Sequence, residues 1–171
     1  MRRSIFIVVV LLLGLVSAGL VAPTARADRS YTDAISGTES STGTIVGDTR
    51  TGVTFSGTAT GELPGQWSVT LSYTPASPAC GGRNRIIGGT WTFTGTDGTM
   101  LTGTVGRGSV SFDQYCAFGQ VEAQLRITSC TGSTRCAGFN GGRGQFDGRL
   151  NHLPILFGQP ATITGTLQLR F

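Results

Sequence analysis

The sequence contains no lysine. All thirteen basic residues are arginine, set against nine acids and a single histidine. Without lysine no phosphate-binding loop can be drawn, and no Gly-x-Ser-x-Gly nucleophile elbow occurs. The lone imidazole, His152, excludes sites that hold a metal through several histidines. The acids are scattered singly, so no carboxylate pair stands at close spacing. Neither a metal nor an organic cofactor is expected. Charged residues make up 13% of the chain, against roughly 25% in average soluble proteins. Glycine, threonine and serine take their place, and these favour strands and tight turns over helices.

What is present begins with Met1-Arg2-Arg3, an apolar run from Ile5 to Val16, small and apolar residues to Ala22, and then Ala25-Arg26-Ala27. This order is that of a signal peptide with cleavage after Ala27. An uncleaved anchor is the alternative, because Ile5 to Ala22 approaches the roughly 20 residues that cross a bilayer. No cysteine follows the apolar run, which argues against a lipid anchor, and general secretion is favoured over the twin-arginine route. Removal of residues 1–27 takes Arg2, Arg3 and Arg26 with it and leaves about +1 of net charge. The pI near 9.2 therefore reports the export signal, and a nucleic-acid partner, which would need clustered basic charge, is set aside. Membrane contact is expected only through the transient signal peptide, and the mature chain is expected to be secreted or extracytoplasmic.

From Thr51 onward apolar and polar residues alternate over short runs that end at glycine, proline or asparagine. Trp67, Val69, Leu71 and Tyr73 share one face, as do Val121, Ala123, Leu125 and Ile127, and Ile163, Leu167, Leu169 and Phe171. This is the period of strands with one buried face. Strands are predicted near 43–47, 52–60, 66–74, 86–95, 100–112, 119–128, 138–149 and 161–170. Short hairpin links pair neighbours antiparallel, so the predicted fold is all-β, a closed up-and-down barrel of about eight strands. An open two-sheet sandwich is the runner-up. The predicted organisation is a signal peptide helix over 1–27, a flexible lead-in over 28–42, and one barrel domain over 43–171.

Cys80, Cys116, Cys130 and Cys136 all lie after the export segment, where an exported chain meets oxidising conditions. In a meander barrel successive loops alternate between two rims. Cys80 and Cys116 then fall at one rim, and Cys130 and Cys136 flank a loop at the other. Strands of eight to ten residues hold the rims roughly 25 Å apart, far beyond the span of a bridge. The predicted pairs are Cys80 with Cys116 and Cys130 with Cys136.

The rim formed by loops 48–51, 75–85, 113–118 and 150–160 has the longer connections and gathers Arg50, Arg83, Arg85, Asp113, Tyr115 and His152. Long loops at a barrel mouth carry ligand contacts, so a candidate ligand site is placed there. Trp67 and Trp91 are candidates to line a cavity below it, because eight strands enclose just enough space to fill with side chains or to hold one small ligand. Core packing is the competing reading of both tryptophans.

Thr131-Gly132, Cys136-Ala137-Gly138-Phe139, Gly142, Gly144-Gln145-Phe146 and Gly148 resemble the glycine-spaced hairpin of allene oxide cyclase and dirigent-like barrels. That resemblance implies a cupped barrel that shapes a small apolar ligand or reactive intermediate without a nucleophile. Gly89-Thr90-Trp91 and Leu101-Thr102-Gly103-Thr104 are similar to avidin-like barrels, but the intervening segment is short and only two tryptophans exist, so biotin binding is rejected. The leading expectation is a non-enzymatic module that binds a small apolar ligand or an extracellular partner. The alternatives are a cyclase or dirigent-like enzyme, and a structural or inhibitory protein that presents the pinned loop 131–135.

Overall fold

A computed structural model describes residues 29–76 and 80–171; the expected signal peptide lies outside them. Eight antiparallel strands run β1 (Ser30–Val46), β2 (Thr49–Gly61), β3 (Gly65–Thr74), β4 (Arg83–Gly95), β5 (Met100–Phe112), β6 (Phe118–Thr131), β7 (Gly142–Asn151) and β8 (Thr162–Arg170). Each pairs with the next and β8 returns to β1, which closes the barrel. Helix among the described residues is confined to two short 3-10 turns, η1 (Thr134–Cys136) and η2 (Leu153–Phe157).

The alternation read from the sequence is the alternation of the wall. On β3, Trp67, Val69, Leu71 and Tyr73 are buried and their neighbours face outward. Val121, Ala123, Leu125 and Ile127 do the same on β6, and Ile163, Leu167 and Leu169 on β8. The wall is apolar inside and rich in Thr, Ser, Gln and Arg outside, the reverse of a barrel that spans a bilayer.

Residues 28–42 were expected as a loose lead-in, and this is corrected: Ser30–Val46 is one long strand. Its first part, Ser30 to Thr38, pairs with β8 from Arg170 to Thr162 and makes the closure itself. Asp33 obscures the pattern, because it occupies an inward position between Tyr31 and Ile35 and breaks their apolar series. It is fully buried. Its Oδ1 accepts a hydrogen bond from the Leu63 amide at 2.8 Å, which ties the β2–β3 turn to β1. β7 begins at Gly142, four residues later than predicted, because 132–141 is spent on η1 and the loop around it.

The seven strand connections sort to two rims. The upper rim carries the β1–β2, β3–β4, β5–β6 and β7–β8 connections, and the lower rim the β2–β3, β4–β5 and β6–β7 connections. Cys80–Cys116 bridges two upper loops and Cys130–Cys136 staples the β6–β7 loop at the lower rim, with Cα atoms 4.9 and 5.2 Å apart. Both pairs are those that alternation between rims requires. Two disulfides are consistent with an oxidising, extracellular environment.

The lower rim is latched by polar contacts. Asp97 pairs with Arg135 at 2.6 Å and caps the Thr99 amide, while Thr99 and Ser133 share a hydroxyl hydrogen bond. Arg135 also lies over the Tyr31 ring, 5.3 Å from its centroid.

Candidate functional site

A cavity of about 200 Å³ opens inside the barrel at the upper rim. Its apolar floor is Val53, Phe55, Val110, Phe112 and Leu150, all buried on inward strand positions. Its polar wall is Glu39, Thr42, Arg50, Tyr73 and His152, and Ile155 of η2 stands at its edge.

Two irregularities in the sheet put the charged groups there. The β1–β2 register shifts between Glu39 and Ser41, and a bulged extra residue reverses which positions face inward. Glu39 and Thr42, which differ in parity, thus line the same cavity. On β2 the register against β3 shifts between Arg50 and Val53. Gly52 sits in that shift with φ +75°, a left-handed conformation open to glycine. Arg50 is thereby turned to the same side as Val53 and Phe55.

The guanidinium of Arg50 is held from two sides: Nε donates to the Ala76 carbonyl at 3.0 Å and Nη1 to the Thr42 carbonyl at 2.9 Å. Burial pushes the Glu39 carboxyl above its ordinary range, and Arg50 partly offsets that. Tyr73 is also raised, chiefly by burial; Arg50 opposes the shift and Glu39 adds to it. His152 is lowered by burial, against weaker opposing effects of the Cys116 backbone and Asp113. Its ring packs against Phe112 with centroids 5.0 Å apart. Asn84, directly across the ladder from Val110, is buried, and its Nδ2 has no hydrogen-bond partner.

Of the residues singled out from sequence, Arg50 and His152 line this cavity, whereas the others stand elsewhere. Arg83 is on the outer wall in an exposed ion pair with Glu122 at 3.2 Å, and Arg85 is exposed on the same strand. Asp113 caps its own loop, accepting from the Tyr115 and Ala117 amides. Tyr115 is 77% exposed and lines an outer cleft of about 420 Å³ with Cys116, Ala117, His152, Leu153, Ile155 and Leu156. His152 and Ile155 are shared by cleft and cavity, so the two adjoin.

Both tryptophans are core. The Trp67 indole donates to the Thr58 carbonyl at 2.9 Å and meets Phe146 edge-on at 5.2 Å. The Trp91 indole donates to the Arg126 carbonyl at 3.2 Å and lies where a Cβ on Gly103 would stand. Sequence reasoning missed Glu39 and Tyr73 as site residues and left Arg50 as one loop charge among several. Gly43 and Gly52, each interrupting an alternating run at positive φ, were the available signal of a bulge.

No family model, no curated protein and no solved structure matches the chain.

Proposed function

We propose that the protein is a binding module that holds a small, mostly apolar molecule in the upper-rim cavity, with its polar end toward Arg50, Glu39 and Tyr73. The observation that carries this reading is an interior cavity with an apolar floor and a single polar wall. Its volume lies below the roughly 300–1,000 Å³ of pockets for drug-sized ligands, which limits the occupant to a small one.

The test is calorimetric titration with octanol, octanoate and octylamine, run on wild type and on Val53→Phe, which fills the cavity from its floor. Binding of at least one probe that Val53→Phe removes, with the urea midpoint kept, is expected. No binding by any probe, or equal binding by the filled variant, would sink the reading.

One observation favours a second reading, turnover of a reactive small molecule in the same cavity. Glu39 and Tyr73 are both shifted toward their protonated forms and His152 toward its neutral form, so proton donors and an acceptor meet in an apolar space. The resemblance of the glycine-spaced hairpin to allene oxide cyclase and dirigent-like barrels supports it too. Glu39→Gln and Tyr73→Phe separate the two readings. A binding module changes affinity, whereas an enzyme loses rate with affinity kept.

A further inference from the structure

Ten large apolar side chains are exposed among the described residues, and eight of them stand on the upper rim. Ile45 and Val46 end β1, at the β1–β2 tip. Tyr115 lies in the β5–β6 connection and Phe118 opens β6, four strand positions further round an eight-strand ring and so on its opposite side. η2 carries the other four, with Leu156 and Phe157 at 77% and 81% exposure. Of the remaining two, Ile87 lies on β4 and Met100 at the lower rim. Single exposed apolar residues are ordinary, but a cluster confined to one end of a molecule marks a contact surface.

The η2 connection meets the requirements of an apolar phase, whereas the β1–β2 turn carries one acid, Asp48, whose carboxylate lies 3.4 Å from the Thr74 hydroxyl. From Leu150 to Ala161 there is no acid and no arginine. The backbone of η2 satisfies itself: Ile155 donates to His152, Gly158 to Ile155 and Gln159 to Pro154. The acid of the β5–β6 loop, Asp113, is turned back on its own amides. A second copy of the chain would need one self-complementary patch, whereas these side chains stand on three separate tips.

From this we infer that the barrel stands end-on against a lipid bilayer, with η2 and the β1–β2 and β5–β6 tips inserted at the headgroup–acyl boundary. This departs from the sequence-based expectation that membrane contact ends with the export segment. Insertion here is driven by apolar area and not by charge, and it does not require that the cavity hold a ligand. Where it does, the outer cleft and the adjoining cavity face the lipid, and an apolar molecule passes between them without crossing water.

The test is co-sedimentation with phosphatidylcholine vesicles, with and without phosphatidylglycerol, at low and raised salt. Wild type should bind neutral vesicles, with little dependence on salt. Leu156→Asp combined with Phe157→Asp should lower the partition coefficient by about 100-fold or more. Ile45→Asp with Val46→Asp on a separate loop should also weaken binding, and Met100→Asp at the lower rim should not. Urea midpoints confirm that each variant is folded. Absence of vesicle binding, binding that needs the anionic lipid and collapses in salt, or a solution dimer that the η2 variant dissolves would each overturn the proposal.

Discussion

The two disulfides close loops of very different length, and this sets a quantitative contrast. Cys80–Cys116 spans 36 residues and encloses the whole β4–β5 hairpin, while Cys130–Cys136 spans six. If a bridge acts by restricting the unfolded chain, the longer loop contributes about 3.8 kcal/mol and the shorter about 2.2 kcal/mol. The perturbation is Cys80→Ala with Cys116→Ala, compared with Cys130→Ala with Cys136→Ala. With a urea m-value of about 2 kcal/mol/M, the midpoint should fall by about 1.9 M in the first variant and about 1.1 M in the second. The first variant has a further consequence at the upper rim. Cys116 is the one non-glycine residue at positive φ among the described residues, and loss of the bridge frees a loop that lines both the cleft and the proposed lipid contact. Equilibrium urea unfolding at matched m-values is the assay. Equal losses in the two variants, or a larger loss from the six-residue bridge, would refute the loop-closure reasoning.

Asp33 gives a pH-dependent prediction: burial raises its carboxyl above the ordinary 3.8, so the folded state keeps the proton to higher pH than the unfolded chain. Stability therefore falls as pH rises through that window, and Asp33→Asn, which keeps an acceptor for the Leu63 amide, should be more stable than wild type at neutral pH by roughly 1–3 kcal/mol. The two should converge below the ordinary value, and a less stable Asn variant at neutral pH would refute this. His152 runs the other way: burial lowers it from 6.5, the unfolded chain binds more protons below that value, and stability should decline as pH falls through 6.5. In His152→Leu that slope should flatten when unfolding is followed across the same range. Finally, Gly103→Ala places a methyl group against the Arg126 carbonyl and the Trp91 indole; a loss of at least about 1–3 kcal/mol is expected in thermal unfolding, and a neutral result would mean that the strands separate there at little cost.

Legibility in the sequence followed the alternation of side chains. Wherever inward positions are apolar without interruption, as on β3, β6 and β8, strand and face could be read directly. The meander order then ruled out the other cysteine pairings, since pairing depends only on which rim a loop occupies. Reading failed where alternation is broken for a physical reason. A buried carboxylate stands in the apolar series of β1, and its partner, the Leu63 amide, is thirty residues away, beyond any local pattern. The cavity was hidden by the same kind of break. Bulges reverse inward and outward positions after Glu39 and at Gly52, so Glu39 and Arg50 look like solvated wall residues until register is known. Arg83, Arg85 and Asp113 drew notice as charges in expected long connections, yet Arg83 and Arg85 belong to the outer face of β4 and Asp113 caps its own turn.

The seam between β1 and β8 joins Ser30–Thr38 to Thr162–Arg170, the beginning and the end of the described chain. Synthesis proceeds from the N-terminus, so β1 has a free edge for as long as its second partner has not been made. Until the final strand arrives the sheet is a curled ribbon with two sticky margins, and most of the contacts that reward folding are distant in sequence, which slows the search for them. Loss of even the last nine residues would thus leave a protein with nearly all of its strands and an unsealed flank on each side, a species more prone to aggregate than to function.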